Sequence, residues 1–157
     1  MAAEFVFGYG SLVADAQLTP TRAFRAEGFV TELRGFRRGW GVAMNNARTL
    51  SGYKYYLDES GSRPAVYVAF LDVTPARGHS VNGVARAVSP HQLARLDDRE
   101  RNYVRRDITA MCDLPSDDLR VWTYLGSGAG RRRLTIARRS GRAVIDQTYL
   151  DQVRRAF

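Results

Sequence analysis

Apolar and polar positions alternate most sharply near the start of the chain. In Phe5-Val6-Phe7-Gly8-Tyr9-Gly10-Ser11-Leu12 an aromatic ring falls at every second position up to Tyr9, with Val6, Gly8 and Gly10 between. That period of two predicts a strand with one heavily packed face and one nearly bare face. The two glycines at its end remove the Cβ atoms that hold a ligand away from a backbone, and they permit positive φ in the turn. Main-chain groups around Tyr9 to Leu12 are thereby placed to meet a small polar molecule. A sharp turn that needs glycine and binds nothing fits the same pattern. Two familiar motifs do not fit: a dinucleotide fingerprint wants glycine at Val13, and a nucleophile elbow wants glycine at Tyr9.

Further along, Ala14 to Ala26 reads as a loop with a short turn of helix. Phe29 to Arg38 reads as a second strand, interrupted at Gly35 and continued by Trp40 to Asn46. Asn45 to Pro64 is the longest irregular region, rich in turn formers and tyrosines, and is either a functional loop or a mobile hairpin tip. Ala65 to Val73 is a strong strand, and Val81 to Val88 is expected beside it after a glycine-containing turn. Tyr103 to Cys112 and Leu119 to Leu125 complete the strands. Gly126 to Gly130 lacks the Gly-Lys-Ser/Thr of a phosphate loop and is expected to be a solvated connection. From Gly141 the pattern turns helical, with Ile145, Tyr149 and Val153 on one stripe. No repeat or linker divides the chain, so one domain over residues 1–157 is expected.

One helix carries a charge where an apolar residue belongs. Ser89-Pro90-His91-Gln92 is a helix start with serine as N-cap, proline at the first position and glutamine to close a capping box. The helix should run from Pro90 to about Arg101. Leu93 and Leu96 mark its apolar stripe, and four residues on the stripe reaches Glu100. Burial and the dipole at the helix end both oppose a negative charge there, as suits a carboxylate that takes and returns protons. The plain alternative is an ion pair from Glu100 to Arg105, Arg106 or another arginine, or exposure because the helix ends early. His91 is expected at the surface.

Composition narrows the chemistry. At 157 residues and 45% apolar content the chain is an ordinary globular length and make-up. Its one cysteine, Cys112, and two histidines, His79 and His91, leave too few ligands for a disulfide or a structural zinc site. Carboxylates, hydroxyls, arginines and backbone must do the work. The 24 basic residues exceed the 16 acidic ones by eight, and all but Lys54 are arginine. That balance raises a nucleic-acid partner, but the arginines are spread along the whole chain instead of gathered in a patch. No run reaches the roughly 20 apolar residues of a membrane span. No secretory segment precedes the first strand, so a cytoplasmic location is expected.

Together, Phe7-Gly8-Tyr9-Gly10-Ser11-Leu12 and Leu96-Asp97-Asp98-Arg99-Glu100-Arg101-Asn102-Tyr103 resemble the gamma-glutamylcyclotransferase-like family. Gly35-Phe36-Arg37-Arg38 with Trp40, and Val84 to Val88, extend the resemblance over most of residues 5 to 125. It implies an α+β fold, a small mixed β-barrel with flanking helices. It also implies closure of a γ-glutamyl group to 5-oxoproline with release of an amine or amino acid, without a cofactor. By the same resemblance Glu100 is the general acid/base, while Tyr9, Gly10, Ser11 and Leu12 form the turn that binds the glutamyl head and Tyr103 bonds to it. The partner is a small γ-glutamyl compound, from glutathione to a dipeptide, an amine or a pathway intermediate, with the selecting residues expected in Asn45 to Pro64. Oligomeric state stays open. A binding module that has lost turnover, and an arginine-rich nucleic-acid binder, are the alternatives.

Overall fold

The computed structural model describes residues 2–14, 28–48 and 54–157. The loop expected over Ala14 to Ala26 lies, beyond Ala14, outside the described residues, as do residues 49–53 of the long irregular region.

The first strand, β1 (Ala3–Gly8), lies at the centre of a mixed sheet. It pairs antiparallel with β3 (Tyr67–Ala87) and parallel with β5 (Leu119–Gly126). Outside them run β2 (Gly28–Asn45) on β3 and β4 (Tyr103–Asp107) on β5, while the short β6 (Ala143–Val144) adds to the start of β3. Both faces of β1 are packed, contrary to the bare face that its small residues implied. Phe5 and Phe7 enter the main core with Leu33, Val73, Val81 and Val121. On the other side Val6 is 1% exposed beneath a helix.

Of the two long strands, β2 runs on through Gly35 as expected, and β3 corrects the strand count expected from the pattern. Residues 28–45 form a single strand, with Gly35 at φ 80 and register shifts at Arg34/Phe36 and Trp40/Val42. Residues 67–87 likewise form one strand of 21 residues, not two neighbours. Gly78, at φ 77, has the backbone of a turn, but Thr74 and Ser80 on either side still pair with Arg37 and Arg34 of β2. The interruption is therefore a bulge, which bends a strand without ending it. After β4 the chain makes a 3-10 turn (Thr109–Met111) in place of the strand expected to reach Cys112.

The architecture is α+β, and the sheet is not a closed barrel. Its two end strands are β2 and β4, and an isolated bridge joins Leu33 of β2 to Cys112, just past the 3-10 turn that follows β4. Beside that bridge Thr31 Oγ1 donates to the Asp113 carbonyl at 2.9 Å, and Arg34 pairs with the Asp113 carboxylate.

Among the described residues three helices flank the sheet: α1 (Pro90–Arg99), α2 (Gly128–Arg139) and α3 (Gln147–Ala156). The capping box of α1 is present, Gln92 N–H to Ser89 Oγ and Ser89 N–H to Gln92 Oε1. The segment expected to be a solvated glycine connection instead starts α2, with Ser127 Oγ accepting from Gly130 N–H at 3.0 Å. Gly130 is needed for contact: a Cβ there would sit 3.0 Å from the Asn102 carbonyl and 3.1 Å from Val42. In α3, Tyr149 is buried and Val153 packs on the core, but Ile145 precedes the helix and is exposed. No described helix is long and apolar enough to cross a membrane.

Candidate active site

The N-terminal turn and α1 meet because they share a small core. After Gly8 the chain passes Tyr9 and Gly10 into a 3-10 turn, Ser11–Ala14, with Val13 N–H bonded to the Gly10 carbonyl. Leu12 from this turn, Leu93 and Leu96 from α1, and Val6, Val88 and Tyr124 bury one another. Neither Gly8 nor Gly10 has the positive φ that the sequence allowed. Gly8 serves close approach, since a Cβ would stand 3.0 Å from the Leu12 and Val13 backbone, whereas Gly10 has ordinary room.

The helix ends at Arg99, a residue or two short of the expected limit. Glu100 is its C-cap, at φ -83 and ψ 54, with its N–H bonded to the Leu96 carbonyl at 2.8 Å. The early end does not release the side chain to solvent, for only 18% of it is exposed. Arg99 reaches the same carboxylate oxygen with Nε and Nη2, each at 3.0 Å. Arg105 pairs with Asp97 instead, at 3.0 Å. His91 is exposed, as expected.

Beside Glu100 lies a hollow of about 280 Å³, its open mouth included, lined by Tyr9, Gly10, Ser11, Leu12, Glu100, Tyr103 and Tyr124. The structure thus gathers Tyr9, Gly10, Ser11, Leu12, Glu100 and Tyr103 around one space, whereas no described residue of Asn45 to Pro64 lines it. Their hydrogen bonds are less uniform. Tyr9 donates its hydroxyl proton to the Tyr124 carbonyl at 2.5 Å, and Tyr103 donates to the Leu71 carbonyl at 2.6 Å. For a ligand these two oxygens keep lone pairs, not protons. Tyr124 donates to Asp97 at 2.8 Å.

Behind the turn, where a Cβ on Gly10 would meet the Leu71 side chain and the Tyr149 hydroxyl at 3.4 Å, runs the open edge of β3. Because β1 stops opposite Val84, no described strand pairs with that edge between residues 69 and 83. Side chains satisfy it: Leu71 N–H donates to the Tyr149 hydroxyl at 3.3 Å while its carbonyl takes the Tyr103 proton. Asp72, 1% exposed, accepts from Gly126 N–H at 2.7 Å and Arg131 Nε at 2.9 Å, tying β3 to β5 and α2. Burial, then the Asp72 charge, pushes the Tyr9 phenol well above its ordinary range, and burial does the same to Tyr103. Burial also raises Tyr124, with its bond to Asp97 adding to the effect, and lifts Tyr149 to about 12. None of the four phenols can act as a base near neutral pH.

Tyr124, Tyr149, Asp72 and Leu71 went unnoticed in the sequence. Tyr124 enters because β5 runs parallel to β1 with Trp122 opposite Val6, a pairing 116 residues apart that no local pattern encodes. Among the described residues no three His, Cys, Asp or Glu side chains converge as a metal would require.

The family model for "Gamma-glutamyl cyclotransferase, AIG2-like" proteins matches residues 6–142. The chain belongs to that family. Solved structures of similar fold include a gamma-glutamyl cyclotransferase at 13% identity, covering 98% of this chain and 99% of the other with a TM-score of 0.53. Another is a yeast gamma-glutamyl cyclotransferase specific to glutathione, at 12% identity, 99% and 97% coverage and a TM-score of 0.54. An uncharacterised human protein matches at 14% identity, 98% and 99% coverage and a TM-score of 0.52. At such identities the likeness is one of fold. No curated protein matches the sequence. Within this cyclotransferase-family chain the matched span contains the turn, Glu100 and all of β3, but stops short of α3 and its Tyr149.

Proposed function

We propose that the chain is a cytoplasmic single-domain enzyme that cyclises a γ-glutamyl group to 5-oxoproline, with Glu100 as general acid/base. The observation that carries the reading is the sheltered Glu100 carboxylate facing the Tyr9 to Leu12 turn across one hollow, in a chain of the cyclotransferase family.

The α-ammonium of the substrate is no nucleophile while it is charged. Glu100 takes one of its protons, and the freed amine attacks the γ-carbonyl carbon of the same molecule, closing a five-membered lactam. Attack leaves the ring nitrogen cationic; as the bond from the γ-carbon to the leaving nitrogen breaks, Glu100 delivers the first proton to the leaving nitrogen and then relays the second, shed by the ring nitrogen as the lactam forms, so the amine departs as its ammonium form. The carboxylate ends as it began, and the products are 5-oxoproline and an amine or amino acid. Nucleophile and electrophile share one molecule, so fixing the reactive conformer draws on effective molarities of roughly 10⁵–10⁸ M, and no covalent enzyme intermediate is needed. Proton transfer by Glu100 contributes about 10²–10⁴-fold. Backbone N–H groups of Gly10 to Leu12 hold the α-carboxylate or polarise the γ-carbonyl, as donors at a tight turn do. Tyr9 walls the site, and the Tyr103 oxygen, its proton spent on Leu71, accepts from the substrate amine.

The test is mass-spectrometric detection of 5-oxoproline from a panel of γ-glutamyl amino acids, amines and glutathione. Glu100→Gln should lower turnover by about 10²–10⁴-fold with the thermal midpoint held. Full activity in that variant removes the mechanism. Ligand-induced thermal shifts without turnover in the parent protein replace the enzyme reading with a binding module.

A further inference from the structure

The acid of this site has a cation seated on it. Arg99, the last residue of α1, places Nε and Nη2 each 3.0 Å from the same Glu100 oxygen. With the Glu100 side chain 18% exposed and that of Arg99 37%, water screens the pair only in part. The rest of the surroundings work against a negative charge. The shelter of the side chain and the carboxyl end of α1 both disfavour it. Asp97, one turn back on α1, is a like charge, and Arg105 of β4 is spent on Asp97 at 3.0 Å and on the face of Trp122. The phenols that line the hollow hand their protons elsewhere: Tyr9 to the Tyr124 carbonyl, Tyr103 of β4 to the Leu71 carbonyl and Tyr124 of β5 to Asp97. Further out, the Tyr149 hydroxyl of α3 accepts from Leu71 N–H, Arg131 of α2 pairs with Asp72, Arg101 donates to the Asp98 carbonyl at 3.2 Å, and Lys54 stands over the rings of Tyr56 and Phe70. Arg99 meets the carboxylate directly, and its charge opposes the effects that would neutralise it.

Resting on the cyclotransferase reading, we infer that Arg99 is a positioning residue whose guanidinium holds the Glu100 carboxylate in the charged form that accepts the first proton from the substrate ammonium. The chemistry of the step makes that form necessary. Glu100 acts as a base before it acts as an acid, so a carboxyl group already protonated when substrate arrives cannot begin the reaction. Arg99 stands outside the hollow and acts through Glu100. A cation favours the ionised carboxylate, so removing it raises the pH at which Glu100 becomes a base.

The experiment is the pH profile of kcat/KM, which reports the ionisations of the free enzyme, taken from about pH 4 to 8 on the γ-glutamyl compound that the parent protein turns over best. It compares the parent with Arg99→Met, Arg99→Gln and Arg99→Lys, each shown to be folded by its thermal midpoint. In Arg99→Met and Arg99→Gln the acid limb should move to higher pH, lowering kcat/KM on that limb by about three- to tenfold. Arg99→Lys, which keeps the charge, should hold the limb near that of the parent. An acid limb unmoved in both Arg99→Met and Arg99→Gln overturns the inference, because a merely structural role lowers the plateau without moving the limb. A limb displaced as far in Arg99→Lys as in Arg99→Met overturns it too, since charge is then not what Arg99 supplies. Either result leaves the cyclotransferase reading standing. If the parent cyclises no member of the γ-glutamyl panel, the reading itself falls and the inference with it.

Discussion

The phenols around Glu100 give the site an unusual response to alkali. Tyr9, Tyr103, Tyr124 and Tyr149 all resist ionisation in the folded chain, chiefly through burial. A phenol whose folded value is raised stabilises the protein fully below its unfolded value near 10, and that contribution is lost as pH rises through the folded value. Tyr149, at about 12, places the steepest loss between roughly pH 10 and 12. Urea unfolding across that window should show stability falling by about 1.4 kcal/mol per pH unit for each such phenol, or about 5 kcal/mol per pH unit for the four together. Tyrosinate absorbance should rise in two phases, with the cluster ionising only on unfolding. A single phase centred near pH 10 would contradict the burial argument. Residue by residue, the sequence carried what is local. The spacing of Leu93, Leu96 and Glu100 and the serine-glutamine box of α1 are helical arithmetic, so the acid could be picked out. Tyr124, Asp72 and Tyr149 matter only through strand pairings and side-chain contacts with distant segments, and no spacing announces those.

Among the elements, the glycines distinguish contact from freedom. A Cβ on Gly83 would lie 2.4 Å from the Gly8 carbonyl oxygen and 2.4 Å from the Phe7 ring, so β1 and β3 hold their register only with hydrogen there. Gly83→Ala should destabilise by about 1–3 kcal/mol or more in chemical denaturation, because neither the strand carbonyl nor the core ring can yield. Gly39, with nothing within 4 Å of its missing Cβ, is the control, and Gly39→Ala should stay within about 0.5 kcal/mol. Equal effects would mean that the close approach is not what Gly83 provides. The same distinction explains which elements the pattern misjudged. Glycine costs about 1 kcal/mol in a helix relative to alanine, so Gly126 to Gly130 read as a loop. Packing of Gly130 on Val42, with Leu134 buried against Ala43 and Ala69, outweighs that cost. In β3, Gly78 spelled a turn, but pairing with β2 on both sides of it, at Pro75 and at Ser80, carried the strand through.

At the scale of the molecule, the excess of eight positive charges has an internal explanation. Many arginines are fastened to backbone carbonyls: Arg63 to Asn46, Arg86 to Val13, Arg133 to Ala43 and Arg138 to Trp40. Others meet carboxylates, as Arg131 does Asp72 and Arg120 does Asp107. Guanidinium forks committed to the fold cannot track a phosphate backbone. Filter binding at physiological salt should therefore find DNA or RNA affinity no tighter than the non-specific range of about 10⁻⁴–10⁻⁶ M. Nanomolar binding would restore the nucleic-acid alternative. The isolated bridge between Leu33 and Cys112 carries a different consequence. It ties β2 to the turn after β4 at a single point, and the open edge of β3 near the Tyr9 to Leu12 turn is held by Asp72 and the phenols of Tyr103 and Tyr149 instead of by a continuous backbone ladder. Reshaping that edge thus asks only for new side chains, and a lineage could alter the neighbourhood of the hollow without rewiring a single strand.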